Sequence, residues 1–204
     1  MTEGLRERKK QRTRQQIIDS AMELFAERGY HATTIAEIAE AADVAPRTFF
    51  SYFPSKEAVV FHTVDRDLEA LAAALGDRLP GETAFDALRR WIDAMFDEWG
   101  REGNEIALRK QLCREDEGLA NFQGGVWARI GELLLEAIAD DLGEPTDALR
   151  PQLVTAAAMA ALSSLEGSVE KDVGKPSPGT KAKSLDVFDE AMLFLRGGLD
   201  ALQR

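Results

Sequence analysis

Apolar side chains recur every three or four positions along most of this 204-residue chain, which is the spacing of one buried face on a helix. No segment shows the apolar–polar alternation of a strand, and no internal repeat is present. Ile17, Ala21, Leu24 and Phe25 place a first helix over Gln11 to Arg28, with Gly29 where a helix C′ residue belongs. Thr34 followed by Glu37 is a capping-box pair, and Ile35, Ile38, Ala39 and Ala42 continue it as a short helix over 34–42. Asp43-Val44-Ala45 breaks that helix. Pro46 then suits the first position of another, where its fixed φ is already helical and its missing N–H is no loss. This second short helix is expected to reach Phe53, docking Phe49 and Phe53 on its predecessor and leaving Arg47, Thr48, Phe50, Ser51 and Tyr52 outward. Two short helices across a tight turn, the second with a row of exposed donors and aromatics, form a helix-turn-helix suited to groove recognition.

Downstream, Ser55 can cap a long helix over 55–79, striped by Val60, Val64, Leu68, Leu71, Leu75 and Leu79. Leu79-Pro80-Gly81 ends it. Another helix starts at Thr83, with Phe85, Leu88, Ile92, Met95, Phe96 and Trp99 in register and Trp91 beside them. Asn104–Arg114 reads as a shorter helix, and from Leu119 a long one carries Phe122, Val126, Ile130, Leu133, Leu134 and Ile138 until Gly143-Glu144-Pro145. Leu153–Leu165 is rich in alanine and serine, and the last helix, from Ser184 to Leu202, holds Gly197-Gly198 within an apolar face. Residues 172–183 have the Gly/Pro/Ser/Lys content of a mobile loop.

Composition changes this picture little, but charge does. An apolar content of 45% supports a sizeable core. A single cysteine, Cys113, gives neither a disulfide framework nor a metal cluster and reads as a buried apolar residue. No apolar run is long enough to span a membrane, and the N-terminus lacks the apolar region of a secretory signal, so a cytoplasmic protein is expected. The net charge of −11 is segregated: residues 1–56 hold 9 basic and 8 acidic side chains, and the acidic excess lies beyond them. Residues 1–14 hold six basic and two acidic side chains. That arm, Arg12 included, is either a solvated tail or a phosphate-contacting extension, and its place beside a helix-turn-helix favours the second.

The helix-turn-helix, with the preceding IIDSAMELFAERGYHATT and the following PSKEAVV, resembles the DNA-binding domain of the TetR family of bacterial transcriptional regulators. The match covers residues 10–62. Asp43 stands where the family usually has a glycine, Ala45 where it has a capping serine, and Phe50-Ser51-Tyr52 replaces a tyrosine-tyrosine-histidine. The resemblance implies an all-α protein with a three-helix DNA-binding domain (1–55) and a larger helical effector-binding and dimerisation domain (56–204). It implies a homodimer on double-stranded DNA carrying an inverted repeat, with contacts from Arg12, Thr33, Thr34, Pro46, Arg47, Thr48, Phe50, Ser51, Tyr52 and Lys56. Lys56 corresponds to a family lysine that meets phosphate.

The two histidines, His31 and His62, fall within or beside the helix-turn-helix region, and neither a Gly-rich phosphate loop nor metal-ligand spacing occurs, so catalysis, metal and cofactor are not expected. Trp91, Met95, Phe96, Trp99, Phe122, Trp127 and Met159 either fill the core or line a cavity for an apolar or amphipathic small molecule, in the helices where the family builds its effector site. Arg109, Lys110 and Arg114 could receive an anionic group or pair with Glu115, Asp116 and Glu117. Ala160, Ser164, Leu195 and Gly198 mark the two small-residue helices that could form a four-helix seam across a two-fold axis, or pack within one chain. The expected function is a repressor released by a small effector. The competing reading is a DNA-binding regulator without one, its second domain serving dimerisation or a protein partner.

Overall fold

The computed structural model describes residues 2–99, 103–171 and 186–193, and every regular element among them is a helix. α1 (Thr2–Arg28) begins well before Gln11. Residues 4–10 are exposed all round, so no packing stripe marks them, while their Arg and Lys side chains have good helix propensity. The basic arm is therefore a helical extension. Gly29, at φ 84°, ends α1 as expected.

α2 (Ile35–Ala41) is capped by Thr34, with both bonds of the capping box formed. α3 (Pro46–Phe49) is shorter than the segment 46–53. Beyond Phe49 the chain tightens into successive turns: the Ser51 N–H donates to the Thr48 carbonyl (3.0 Å) and the Tyr52 N–H to the Phe49 carbonyl (2.9 Å). Phe53 still reaches the core.

The continuous helix expected over 55–79 is instead two, α4 (Glu57–Val60) and α5 (Val64–Gly76). Phe61 leaves helical geometry (φ −107°, ψ 33°), and the turn buries Phe61 and Thr63. The break frees the His62 carbonyl, which accepts a hydrogen bond from Arg14 Nη2 (2.9 Å). Ser55 does cap the start, its Oγ accepting from the Ala58 N–H (3.3 Å). The remaining helices are α6 (Ala84–Trp99), α7 (Gly103–Glu115), α8 (Glu117–Leu142) and α9 (Leu149–Lys171), with a further helical stretch at 186–193. Gly143, at φ 62°, terminates α8.

Two cores form. The first unit joins the residues through Val64 to Leu108–Gln123, and the second takes its described residues from 65–107 and from 124 onward. Packing thus departs from the division expected at residue 55, because Val59, Val60 and Phe61, together with Leu112, Cys113 and Leu119, are buried with Ile17, Phe25, Ile38 and Phe49. The second core gathers Leu71, Leu88, Ile92, Leu134, Ala158 and Phe188. No described helix is long and apolar enough to cross a membrane.

Candidate functional site

The outward surface of α3 is set by how its inner face is held. Asp43 sits at φ 54°, the left-handed region that glycine adopts without steric cost and that aspartate tolerates better than most side chains. Through this turn the Val44 N–H donates to the Ala39 carbonyl (2.9 Å), closing α2 against the start of α3. The Phe49 and Phe53 rings pack 6.0 Å apart in the first core, and the Arg14 guanidinium lies 4.9 Å from the Phe53 ring centroid. Arg14, counted with the basic arm, is thereby turned inward to brace α3 and the α4–α5 break.

What remains outward is Pro46, Arg47, Phe50 and Ser51, with Thr48 and Tyr52 half-buried. Among the described residues nothing pairs with the Arg47 guanidinium, so all its donors face solvent. Ser51 Oγ donates to the Arg47 carbonyl (3.3 Å), which spends its donor on its own turn. The Phe50 ring is 56% exposed, although its edge-to-face contact with Phe49 (5.5 Å, 85°) limits its freedom. Arg12 is exposed on α1. An unpaired guanidinium, a hydroxyl and an apolar ring on one short helix can supply bidentate donation to guanine and contact with a thymine methyl.

Three expected contacts are redirected. Thr33 is 1% exposed, and its hydroxyl donates into the loop, 2.9 Å from the Gly29 carbonyl. Thr34 Oγ1 accepts from the Glu37 N–H (3.2 Å) and donates to the Glu37 carboxylate (2.7 Å), so the capping box occupies it. Lys56 Nζ donates to the carbonyls of Tyr30 (2.9 Å) and Thr33 (2.8 Å) and lies 4.3 Å from the Tyr30 ring centroid. Thr33 and Lys56 share a reason, since the Gly29–Thr34 loop has carbonyls with no helical partner and these side chains satisfy them, whereas Thr34 satisfies an orphan N–H of the first turn of α2.

Two carboxylates are tuned nearby. Hydrogen bonding by the Thr34 backbone, then by its hydroxyl, holds Glu37 below its ordinary value, with Arg28 (3.3 Å) adding to the shift against slight desolvation. Partial burial opposes a similar lowering at Glu57, where the Ser55 hydroxyl, the backbone N–H of Glu57 and the Lys56 charge prevail. Burial first, and then the Glu57 carboxylate, pushes the Tyr30 phenol far up, so it stays neutral.

Sequence reasoning did not foresee that 108–123 packs in this unit. Asp116 caps α8, accepting from the Leu119 N–H (2.7 Å), and its other oxygen meets His31 Nε2 at 3.1 Å. The signal available was the acidic run 115–117, whose middle residue, Asp116, proves to be the α8 cap.

In the second unit, Met95 is buried while Trp91, Trp127 and Met159 are partly buried against the core. Met159 lies beside Gly131 of α8, its Sδ and Cε 3.9 Å from where a Cβ would stand. The Phe96 and Trp99 side chains lie outside the described residues. Phe122 does not join the tryptophans: it belongs to the first unit, 42% exposed and stacked on Phe61 at 4.5 Å. Arg109, Lys110 and Arg114 are likewise on α7 residues of the first unit.

Open grooves lie among the described residues of the second unit. One, of about 380 Å³, lies between α5 and α8 and is flanked by Asp65, Glu69, Glu132, Glu136 and Arg129; another, of about 170 Å³, is bounded by Phe85, Arg89, Phe188 and Met192. None of the residues expected to bind an effector lines either.

On α9, Leu149, Leu153, Ala156, Ala160 and Ser164 are exposed at helical spacing, with Leu153 at 57%. Leu193 and Val187 are exposed on the stretch 186–193. Ala160 and Ser164 thus lie on an uncovered face, whereas Leu195 and Gly198 fall outside the described residues. Among those residues, no group of three or more potential metal ligands occurs.

Comparison with known proteins places this geometry. Residues 17–63 match the family model for bacterial regulatory proteins of the tetR family. The HTH-type transcriptional regulator TcmR of Streptomyces glaucescens is 49% identical over 117 residues, 54% of this chain and 50% of that protein. The chain therefore spans about half the length of that relative. The HTH-type transcriptional repressor KstR of Mycolicibacterium smegmatis is 35% identical over 151 residues, 72% of this chain and 69% of that protein. Among solved structures, FadR from Bacillus subtilis in complex with stearoyl-CoA shares the fold with a TM-score of 0.62 at 22% identity, covering 87% of this chain and 96% of that one. With the helix-turn-helix formed where the family model matches, and identity to KstR sustained over more than two thirds of both proteins, this chain belongs to the TetR family of bacterial transcriptional regulators.

Proposed function

We propose that this protein is a repressor that binds an inverted-repeat operator as a homodimer and releases it on binding a small apolar or amphipathic molecule. The observation that carries the DNA-binding part is the unpaired, exposed Arg47, presented with Thr48 and Phe50 by a helix whose inner face is fixed by Phe49 and Phe53. Arg47 reads a base pair, Thr48 and Phe50 add contact to it, and Arg12 with the helical basic arm neutralises phosphates. The uncovered apolar face of α9 supports a two-fold seam, and two-fold symmetric reading heads meet equivalent half-sites about one helical turn, or a multiple, apart. The description of KstR as a repressor supports the sign of control. FadR, in a structure of shared fold, holds stearoyl-CoA, which supports a helical second domain able to take an apolar ligand.

The competing reading, without an effector, draws support from the packing of Trp91, Trp127 and Met159 against the second core. Selection of bound fragments from randomised DNA is expected to return an inverted repeat. With that operator in hand, a lipophilic and acyl panel is screened by tryptophan fluorescence and by operator affinity. A true effector weakens operator binding by roughly 5- to 150-fold, a coupling of about 1–3 kcal/mol, and operator DNA weakens the ligand by the same factor. A panel that leaves both readouts unchanged favours the effector-free reading.

A further inference from the structure

We infer that the effector region of the second unit is built for an uncharged ligand carrying a hydrogen-bond acceptor oxygen, a ketone, ester or ether on an apolar frame, recognised by Trp91 Nε1 and Thr155 Oγ1. The inference rests on the effector reading above and names the ligand chemistry it implies.

Two neutral side-chain atoms buried in this unit have no hydrogen-bond partner among the described residues, the indole Nε1 of Trp91 and the hydroxyl of Thr155; a third such atom, Arg150 Nε, belongs to a guanidinium already paired with Glu144 (2.6 Å). Thr155 is 8% exposed, and a helical threonine can usually satisfy itself on a carbonyl of the preceding turn. Here it does not. Trp91 lies one helical turn from Leu88 and from Met95 on α6, so its ring shares their buried face. Thr155 shares its face of α9 with Ala158, Met159 and Leu162. Trp91, Met159, Ala158 and Leu162 all pack in or against one apolar cluster. Both orphaned groups therefore border the same apolar interior.

Leaving a buried donor unmet costs about as much as a lost hydrogen bond, and proteins hold few of them. The chemistry of these two sets the complement. An indole N–H only donates, and a hydroxyl donates as readily as it accepts, so both can be met by oxygen acceptors. Charge is disfavoured by the surroundings. The fully buried polar side chains among the described residues are three threonines, and Arg150, whose Nε is buried, is already balanced by Glu144, so a carboxylate or phosphate would enter without a counter-charge, and an unpaired buried charge is far costlier than an unmet hydroxyl. The cations nearest in sequence, Arg89 and Arg90, are exposed and already paired with Asp189 and Glu82, and Arg109, Lys110 and Arg114 belong to the first unit.

The test uses the full chain and matched probes on two frames: undecanone, undecane and undecanoate, and acetylnaphthalene, ethylnaphthalene and naphthoate. Binding is measured by calorimetry, and operator affinity is followed with each probe. The expected result is that the ketone of at least one frame binds more tightly than both its hydrocarbon and its acid. Thr155→Val, which keeps the side-chain shape, is expected to retain or raise the melting temperature while weakening the ketone roughly 3- to 10-fold and leaving the hydrocarbon unchanged. Trp91→Phe is expected to weaken the ketone in the same selective way. If both variants bind the ketones as the parent does, the two groups serve bound water alone and the inference is overturned. Preference for the acid or the hydrocarbon overturns it while leaving the effector reading intact. Absence of binding by every probe, with operator affinity unmoved, overturns both.

Discussion

Arg47 is the residue at which to test sequence discrimination, because its guanidinium is exposed and unclaimed while the donors of Thr33, Ser51 and Lys56 are spent within the fold. Arg47→Ala is expected to cost about 1–3 kcal/mol on the selected operator and to relax preference at one base pair, with little change on random DNA. Equal losses on both would assign Arg47 to the phosphate backbone. Glu37 supplies a second test, of stability. Its carboxylate is held below its ordinary value of 4.5 by the Thr34 backbone and hydroxyl, so the capping box contributes stability that is present above that pH and is lost as pH falls below it. Denaturation at a series of pH values should show a shallower acid limb for Glu37→Gln than for the parent. Parallel limbs would mean that the box does not couple to folding.

At the scale of elements, the contrast lies between α1 and the loop that follows it. The exposed residues 4–10 of α1 contribute charge without packing, whereas Lys56 ties the loop through two carbonyls and the Tyr30 ring. Deleting the first nine residues is therefore expected to leave the melting temperature nearly unchanged. It should weaken binding to all DNA sequences and flatten the dependence of affinity on salt. Lys56→Ala should behave in the opposite way, lowering the melting temperature first and DNA affinity only as the loop loosens. A salt slope reduced by Lys56→Ala, with stability intact, would restore the phosphate-contact reading.

For the whole molecule, the uncovered face of α9 is the surface to challenge. Leu153→Glu or Ala160→Glu places a charge on it without entering the core, since both residues are exposed. Sedimentation at micromolar concentration is expected to show a dimer for the parent and a monomer for either variant. Operator affinity should fall with dimerisation, because one reading head forfeits the second half-site. A dimer retained by both variants would move the seam to another face.

What the sequence determined by itself was local. The capping box at Thr34 and Glu37, Pro46 at the first turn of α3, the stops at Gly29 and Gly143, and the inward spacing of Phe49 and Phe53 all follow from interactions spanning a turn or two, and all appear in the structure. The helix-turn-helix was legible for that reason, and its family with it. Tertiary structure alone decided the rest. The repeat Val60, Val64, Leu68 reads the same with or without the break at 61–63, and the break is held by Arg14, 48 positions away from His62. Leu112 and Leu119 looked like any amphipathic helix residues, yet they pack on the first core rather than with the tryptophans. Lys56 and Thr33 turned inward because unpaired carbonyls in a neighbouring loop were near enough to bind them. Helical period records that a face is buried, but the partner burying it is chosen by contacts distant in sequence, which no local pattern carries.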